Sequence, residues 1–267
     1  MRKSLSLQLR QTIFSWQTLV TTLAGLIILI WYSIANWIQV NRFLGNISYS
    51  EVCGDFLKAI YDAHARTGFS LFAPVFAVIP CATQFCDDYN SGYIKSILLR
   101  MNIKDYIREK IINCSVAGGL TVFLPELICG GIFSFFGHPH VPSQYSSYLN
   151  STIFSEVQYV WDGYLVFLLY LFFAFLFGAV WSNIGLCFSA YVPNRYITLA
   201  APFALYYSIH LTLNRSGFLA MYSPASMLQP TSILFPNIAF PIAYQLLLFS
   251  FAIVMFIKKI KRRIQNV

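Results

Sequence analysis

Charge is what this sequence has least of: only 10% of its 267 residues are Asp, Glu, Lys or Arg, against roughly 25% in an ordinary soluble domain. That scarcity excludes a water-covered surface over most of the chain and places it in lipid. Cysteines at metal-binding or redox spacing are also missing. Cys53, Cys81, Cys86, Cys114, Cys129 and Cys187 form no CxxC pair, and four of the six lie within or at the edge of apolar segments, where cysteine behaves as a small hydrophobe. A zinc site and a disulfide framework are therefore not expected. There is no GxxxxGK[ST] loop, so the chain has no P-loop with which to cradle ATP phosphates. The formal net charge of +8 does not form a basic stripe interleaved with aromatic residues, which argues against nucleic acid as a partner.

What is present is apolar sequence, 57% of the chain. A helix needs about 20 mainly apolar residues to cross a bilayer, and six such windows occur, at approximately 18–40, 69–86, 111–136, 163–190, 196–213 and 237–257. The expectation is an all-α polytopic membrane protein, a single transmembrane domain over 1–267. The second and fifth windows are short and carry Pro74, Pro80 and Pro202, so they are expected to be kinked helices that their neighbours accommodate.

With both ends on the cytoplasmic side, 14 of the 18 Lys and Arg residues fall in inner segments; Arg42, Lys58, Arg66 and Arg215 fall outside. That bias fixes the orientation of six spans. Tyr32, Trp37, Tyr159 and Trp161 sit near the expected outer boundaries, as an aromatic belt would. Arg2 and Lys3 before an apolar stretch resemble a signal peptide, but Arg10 and Gln11 interrupt it and no small-residue cleavage site follows. Instead, Leu5, Leu9, Ile13 and Trp16 recur at helical spacing within 3–16, the pattern of a helix lying on the inner membrane surface.

The loop 85–110, FCDDYNSGYIKSILLRMNIKDYIREK, changes abruptly from apolar to charged and back, as a segment that touches something in the cytosol would. Asp87 and Asp88 are expected to favour the start of a short helix through Tyr93, Ile94, Ile97 and Leu98, whose apolar face water alone would leave uncovered. Asn102 and Asp105 have the spacing of a capping box opening the next helix.

Here the chain resembles the permease subunits of the type-2 ABC exporter family. In that pattern a proline-containing second span runs into an acidic pair, a glycine, a short coupling helix ending in arginine, then a tyrosine and a lysine opening the third span. Pro80, Asp87, Asp88, Gly92, Lys95, Arg100, Tyr106 and Lys110 supply these in order. Met101 departs from it, standing where a proline often follows the arginine. The Ser223-Pro224 segment before the last window and the chain length also fit. The resemblance implies that two permeases, identical or related, pair in the membrane of a bacterial cell. It also implies that a separate cytosolic ATPase docks beneath each, with Asp87, Asp88, Gly92, Tyr93, Ile97, Leu98 and Arg100 coupling the two. ATP would then be a cofactor of the partner and not of this chain.

Few other residues stand out. Glu126 follows Pro125 about 16 residues beyond Lys110, roughly 24 Å along a helix; a carboxylate at that depth either lines a translocation path or serves structure. Gly178, Ser182, Gly185 and Ser189 align on one helical face and permit close packing, within the chain or across a dimer. His138 and His140 have no cysteine or carboxylate beside them, a poor metal site, and His210 is expected to be a satisfied interior histidine. Residues 214–236, broken by Pro224, Pro230 and Pro236, suit short outer or re-entrant helices. Lys258, Lys259, Lys261, Arg262 and Arg263 form a basic tail attracted to anionic lipid.

The expected activity is outward movement of a hydrophobic or amphipathic molecule such as a drug, an antimicrobial peptide or a lipid-like compound. Two alternatives stay open: a sensor or assembly protein that binds a cytosolic partner through 85–110, and a membrane-embedded enzyme.

Overall fold

The computed structural model describes residues 2–44, 69–136, 164–228 and 238–265. These form nine α-helices and two short 3-10 segments, with no strand among the described residues. In chain order the helices are α1 Arg2–Ile13, α2 Trp16–Leu44, α3 Phe69–Val78, α4 Gln84–Asn90, α5 Tyr93–Leu98, α6 Ile103–Phe136, α7 Tyr164–Tyr191, α8 Arg195–Asn214 and α9 Ala239–Gln265. Between α8 and α9 lie the 3-10 turns Gly217–Tyr222 and Pro224–Met227. Residues Lys58, Arg66, Cys53, His138, His140, Tyr159, Trp161 and Pro230 lie outside the described residues, as do the side chains of Tyr32 and Trp37.

Helices occupy all six apolar windows, and α6, α7 and α9 are long and apolar enough to cross a membrane. Burial separates them by position. Two thirds of the α7 apolar window (67%) is inside the molecule but only 22% of that of α9, so α7 is the central post and α9 an outer one. Leu247 and Phe251 on α9, and Ile27 and Trp31 on α2, are exposed; a helix that is apolar on its outer face needs an apolar surrounding.

The second window is not one helix. α3 stops at Val78 and the chain passes through turn residues 79–83 before α4 begins. Pro80 is the reason: it has no N–H to donate four residues back and its ring disfavours helix in the residue before it. The helix expected to open at Asn102 and continue into the third span does so, because α6 runs unbroken for 34 residues from Ile103. Its start matches the sequence signal in part: Asn102 Oδ1 accepts from the Lys104 N–H at 3.3 Å. At the other break, between α1 and α2, Thr18 N–H donates to Ser15 Oγ at 3.2 Å, an N-cap that starts α2 afresh.

The core is set by how closely α6 and α7 approach. A Cβ on Gly178 would lie 2.2 Å from the Gly118 carbonyl oxygen, and one on Gly118 would lie 2.3 Å from Ser182 Cβ. Gly185 faces Val78 and Ala82 in the same way. The small-residue face of α7 thus packs within the chain, against α6 and the end of α3. Ser182 Oγ donates to the Cys114 carbonyl at 2.8 Å and Asn183 Nδ2 to Ser115 Oγ at 2.9 Å, polar ties that hold apposed helices in an apolar setting. Farther along, Tyr206 of α8 sits edge-on to Phe177 and Trp181 of α7.

Candidate functional site

Apart from Arg42 and Arg215, at the far ends of α2 and α8, the basic residues gather at one end among the described residues, where α6 and α8 begin and α7 and α9 finish. The α4–α5 hairpin crosses this end, and its geometry comes from one residue. Gly92 has φ +70°, a left-handed conformation that glycine adopts without strain, and it follows the last turn of α4, where Ser91 Oγ donates to the Asp87 carbonyl at 2.6 Å. The chain reverses there and enters α5.

Asp87 and Asp88 do not cap α5; they belong to α4. Adjacent helical residues point about 100° apart, and each carboxylate finds its own partner. Asp88 Oδ2 is 2.8 Å from Lys110 Nζ and accepts from the Tyr106 hydroxyl at 2.8 Å, with side-chain exposures of 17% for Asp88 and 8% for Lys110. Asp87 pairs with Arg195 at the start of α8, on the surface. Asn90 Nδ2 donates to the Pro193 carbonyl at 2.9 Å. The Arg263 guanidinium of α9 lies 4.9 Å from the Tyr89 ring centroid and donates to the Tyr191 carbonyl at 2.8 Å. Toward α1, Thr12 Oγ1 accepts from Gln84 Nε2 and from Asn113 Nδ2, at 3.2 and 2.9 Å. The hairpin therefore touches α1, α6, α8 and α9 through specific polar contacts.

The apolar residues of α5 divide. Ile94 is buried, and Ile97 and Leu98 are half-buried against a cluster that includes Phe85, Tyr106, Ile107, Phe256 and Ile260. Tyr93 and Leu99 instead point out, 56% and 90% exposed. The most exposed face of this stretch is thus Tyr93, Lys95, Ser96, Leu99 and Arg100, with Ile97 and Leu98 half-buried beside it. Leu99 is absent from the sequence-based set; its signal is a large apolar residue directly before Arg100 in a charged stretch. Alongside lies a groove of about 480 Å³ between α1, α5 and the first turns of α6, edged by Tyr93, Arg100, Asp105 and Glu109.

Glu126 is buried in α6, beside Pro125, whose ring a Cβ on Gly25 of α2 would meet at 3.0 Å. It is far from the hairpin along α6. His210 Nδ1 and Ser223 Oγ are 2.8 Å apart, tying α8 to the segment before Pro224. Among the described residues no three of His, Cys, Asp and Glu are placed to hold a metal ion.

Fold and composition define the class: the described residues are all-helical, with three helices among them fit to cross a membrane, and so a membrane-associated protein. No family model, no curated protein and no solved structure matches it.

Proposed function

We propose that the chain is the membrane-spanning permease subunit of an ATP-driven exporter in a bacterial cell membrane, and that a separate cytosolic ATPase acts on its α4–α5 hairpin. The observation that carries this is the two-sidedness of the hairpin. One side is fastened to α6, α8, α9 and the α7–α8 turn through Asp88–Lys110, Asp87–Arg195, Arg263–Tyr89 and Asn90–Pro193; the other leaves Tyr93 and Leu99 in the open. Large apolar side chains at the basic end, away from the apolar belt, suit a protein partner. A push on them would pass directly into α6, α8 and α9.

In this reading there are six passes, α2, α3 with α4, α6, α7, α8 and α9, with both termini cytoplasmic. The basic end supports that orientation. Two such permeases, identical or related, pair to enclose a path for a hydrophobic or amphipathic cargo, with Glu126 as its buried polar group. ATP is bound and hydrolysed on the partner.

The test is an affinity pulldown from mildly solubilised membranes, comparing wild type with Tyr93→Glu/Leu99→Glu. An ATPase recovered with wild type and lost from a variant of unchanged thermal stability supports coupling through the hairpin. If no ATPase is recovered with wild type, the exporter reading falls, and a different protein lost from the variant would make the hairpin the contact of a sensor or assembly factor.

A further inference from the structure

A second groove lies at the basic end, on a different face of α6 from the hairpin groove. Its volume is about 430 Å³, and it runs between α6 and α9. Its floor is apolar, with Ile107, Ile111 and Ile112 from α6 and Ile253 and Ile257 from α9. Its mouth is cationic, with Lys104, Arg108 and Lys261. The periodicity makes this a designed face: 104, 107, 108, 111 and 112 fall on one side of α6, and 253, 257 and 261 on one side of α9.

The two helices run in opposite directions, so all three cations meet at one end and the isoleucines continue about 10 Å deeper. The carboxylates of the same turns, Asp105 and Glu109, line the other groove, and none lines this one. Lys104, Arg108 and Lys261 make no side-chain hydrogen bond or ion pair among the described residues. The groove opens beside α9, the least covered of the three long apolar helices.

We infer that the α6–α9 groove binds one anionic glycerophospholipid, its phosphate between Lys104, Arg108 and Lys261 and an acyl chain along Ile111, Ile112 and Ile253. Three unpaired cations over an apolar floor fit a ligand that is anionic at one end and hydrocarbon at the other, and a free anion would have no use for the isoleucines. Neither the fit nor its test depends on the exporter reading.

The experiment is titration of the purified full chain, in a neutral detergent, with phosphatidylglycerol and with phosphatidylcholine of identical acyl chains, followed by native mass spectrometry. Wild type is expected to retain phosphatidylglycerol selectively. Lys104→Gln/Arg108→Gln/Lys261→Gln is expected to weaken it on the order of 100-fold, at about a factor of five per cation. The control Lys95→Gln/Lys258→Gln/Arg262→Gln removes the same charge elsewhere and is expected to bind within a few-fold of wild type. Equal retention of the two lipids by wild type overturns the proposal without any variant. Equal weakening by both triple variants overturns it in favour of diffuse attraction, and displacement of the lipid by equimolar inorganic phosphate overturns it in favour of a soluble anion.

Discussion

The Tyr206 hydroxyl of α8 donates to the Ser70 carbonyl of α3 at 2.6 Å, and Ser70 is the residue whose carbonyl Pro74 leaves without an intrahelical donor four residues on. A helix break in an apolar setting is tolerated where a neighbour replaces the lost hydrogen bond, and here the neighbour is identified. Tyr206→Phe is expected to lower stability by about 1 kcal/mol, within the range of interhelical hydrogen bonds in membranes. In a Pro74→Ala background, where the backbone N–H is restored, the same substitution should matter less. Thermal melts of the four proteins of this cycle measure the coupling.

The α6–α7 contact predicts a graded series. Gly178→Ala and Gly118→Ala each drive a methyl into backbone or the Ser182 side chain, and each should destabilise by about 1–3 kcal/mol, as overpacking does. Gly131→Ala, also on α6 but with open space around its Cβ, should be neutral or stabilising. Melting temperatures in one detergent rank the three.

The two aspartates of α4 should differ sharply. Asp88→Ala strands the mostly buried Lys110 and the Tyr106 hydroxyl and is expected to cost about 2–4 kcal/mol. Arg195→Ala breaks an exposed pair and should change stability by less than about 1 kcal/mol. Raising salt should weaken the Asp87–Arg195 contribution and leave the Asp88–Lys110 one largely intact, which denaturation at two ionic strengths resolves.

The apolar residues of α5 should separate by role. Ile94→Asp places a charge in a buried site and should unfold or deplete the protein. Tyr93→Glu and Leu99→Glu should leave the melting temperature within about 2 °C of wild type while abolishing recovery of the proposed cytosolic ATPase. Expression level and pulldown, read together, check both.

Much of the helix layout was legible from apolar periodicity, because a 20-residue apolar run has few other uses. What was not legible is what depends on the third dimension. Asp87 and Asp88 read as a cap because they precede a short helix; only the turn at Gly92 shows that they close α4 and reach α6 and α8. The four small residues of α7 announced close packing, but Gly118 and Gly119 give no periodic signal of their own, so their partner could not be assigned. The split of the α5 apolar residues is likewise set by where Phe256 and Ile260 arrive from a distant part of the chain.

The contact of Gly178 with the Gly118 carbonyl also bears on motion. Where the two helices meet backbone to backbone there is no side-chain layer to shear, and the Ser182 and Asn183 bonds lock their register. α6 and α7 are therefore a stator. Any conformational cycle of this protein must be borne by the elements hung around that pair, with the proline-broken turn at 79–83 as its natural joint and, in the exporter reading proposed above, the hairpin as its handle.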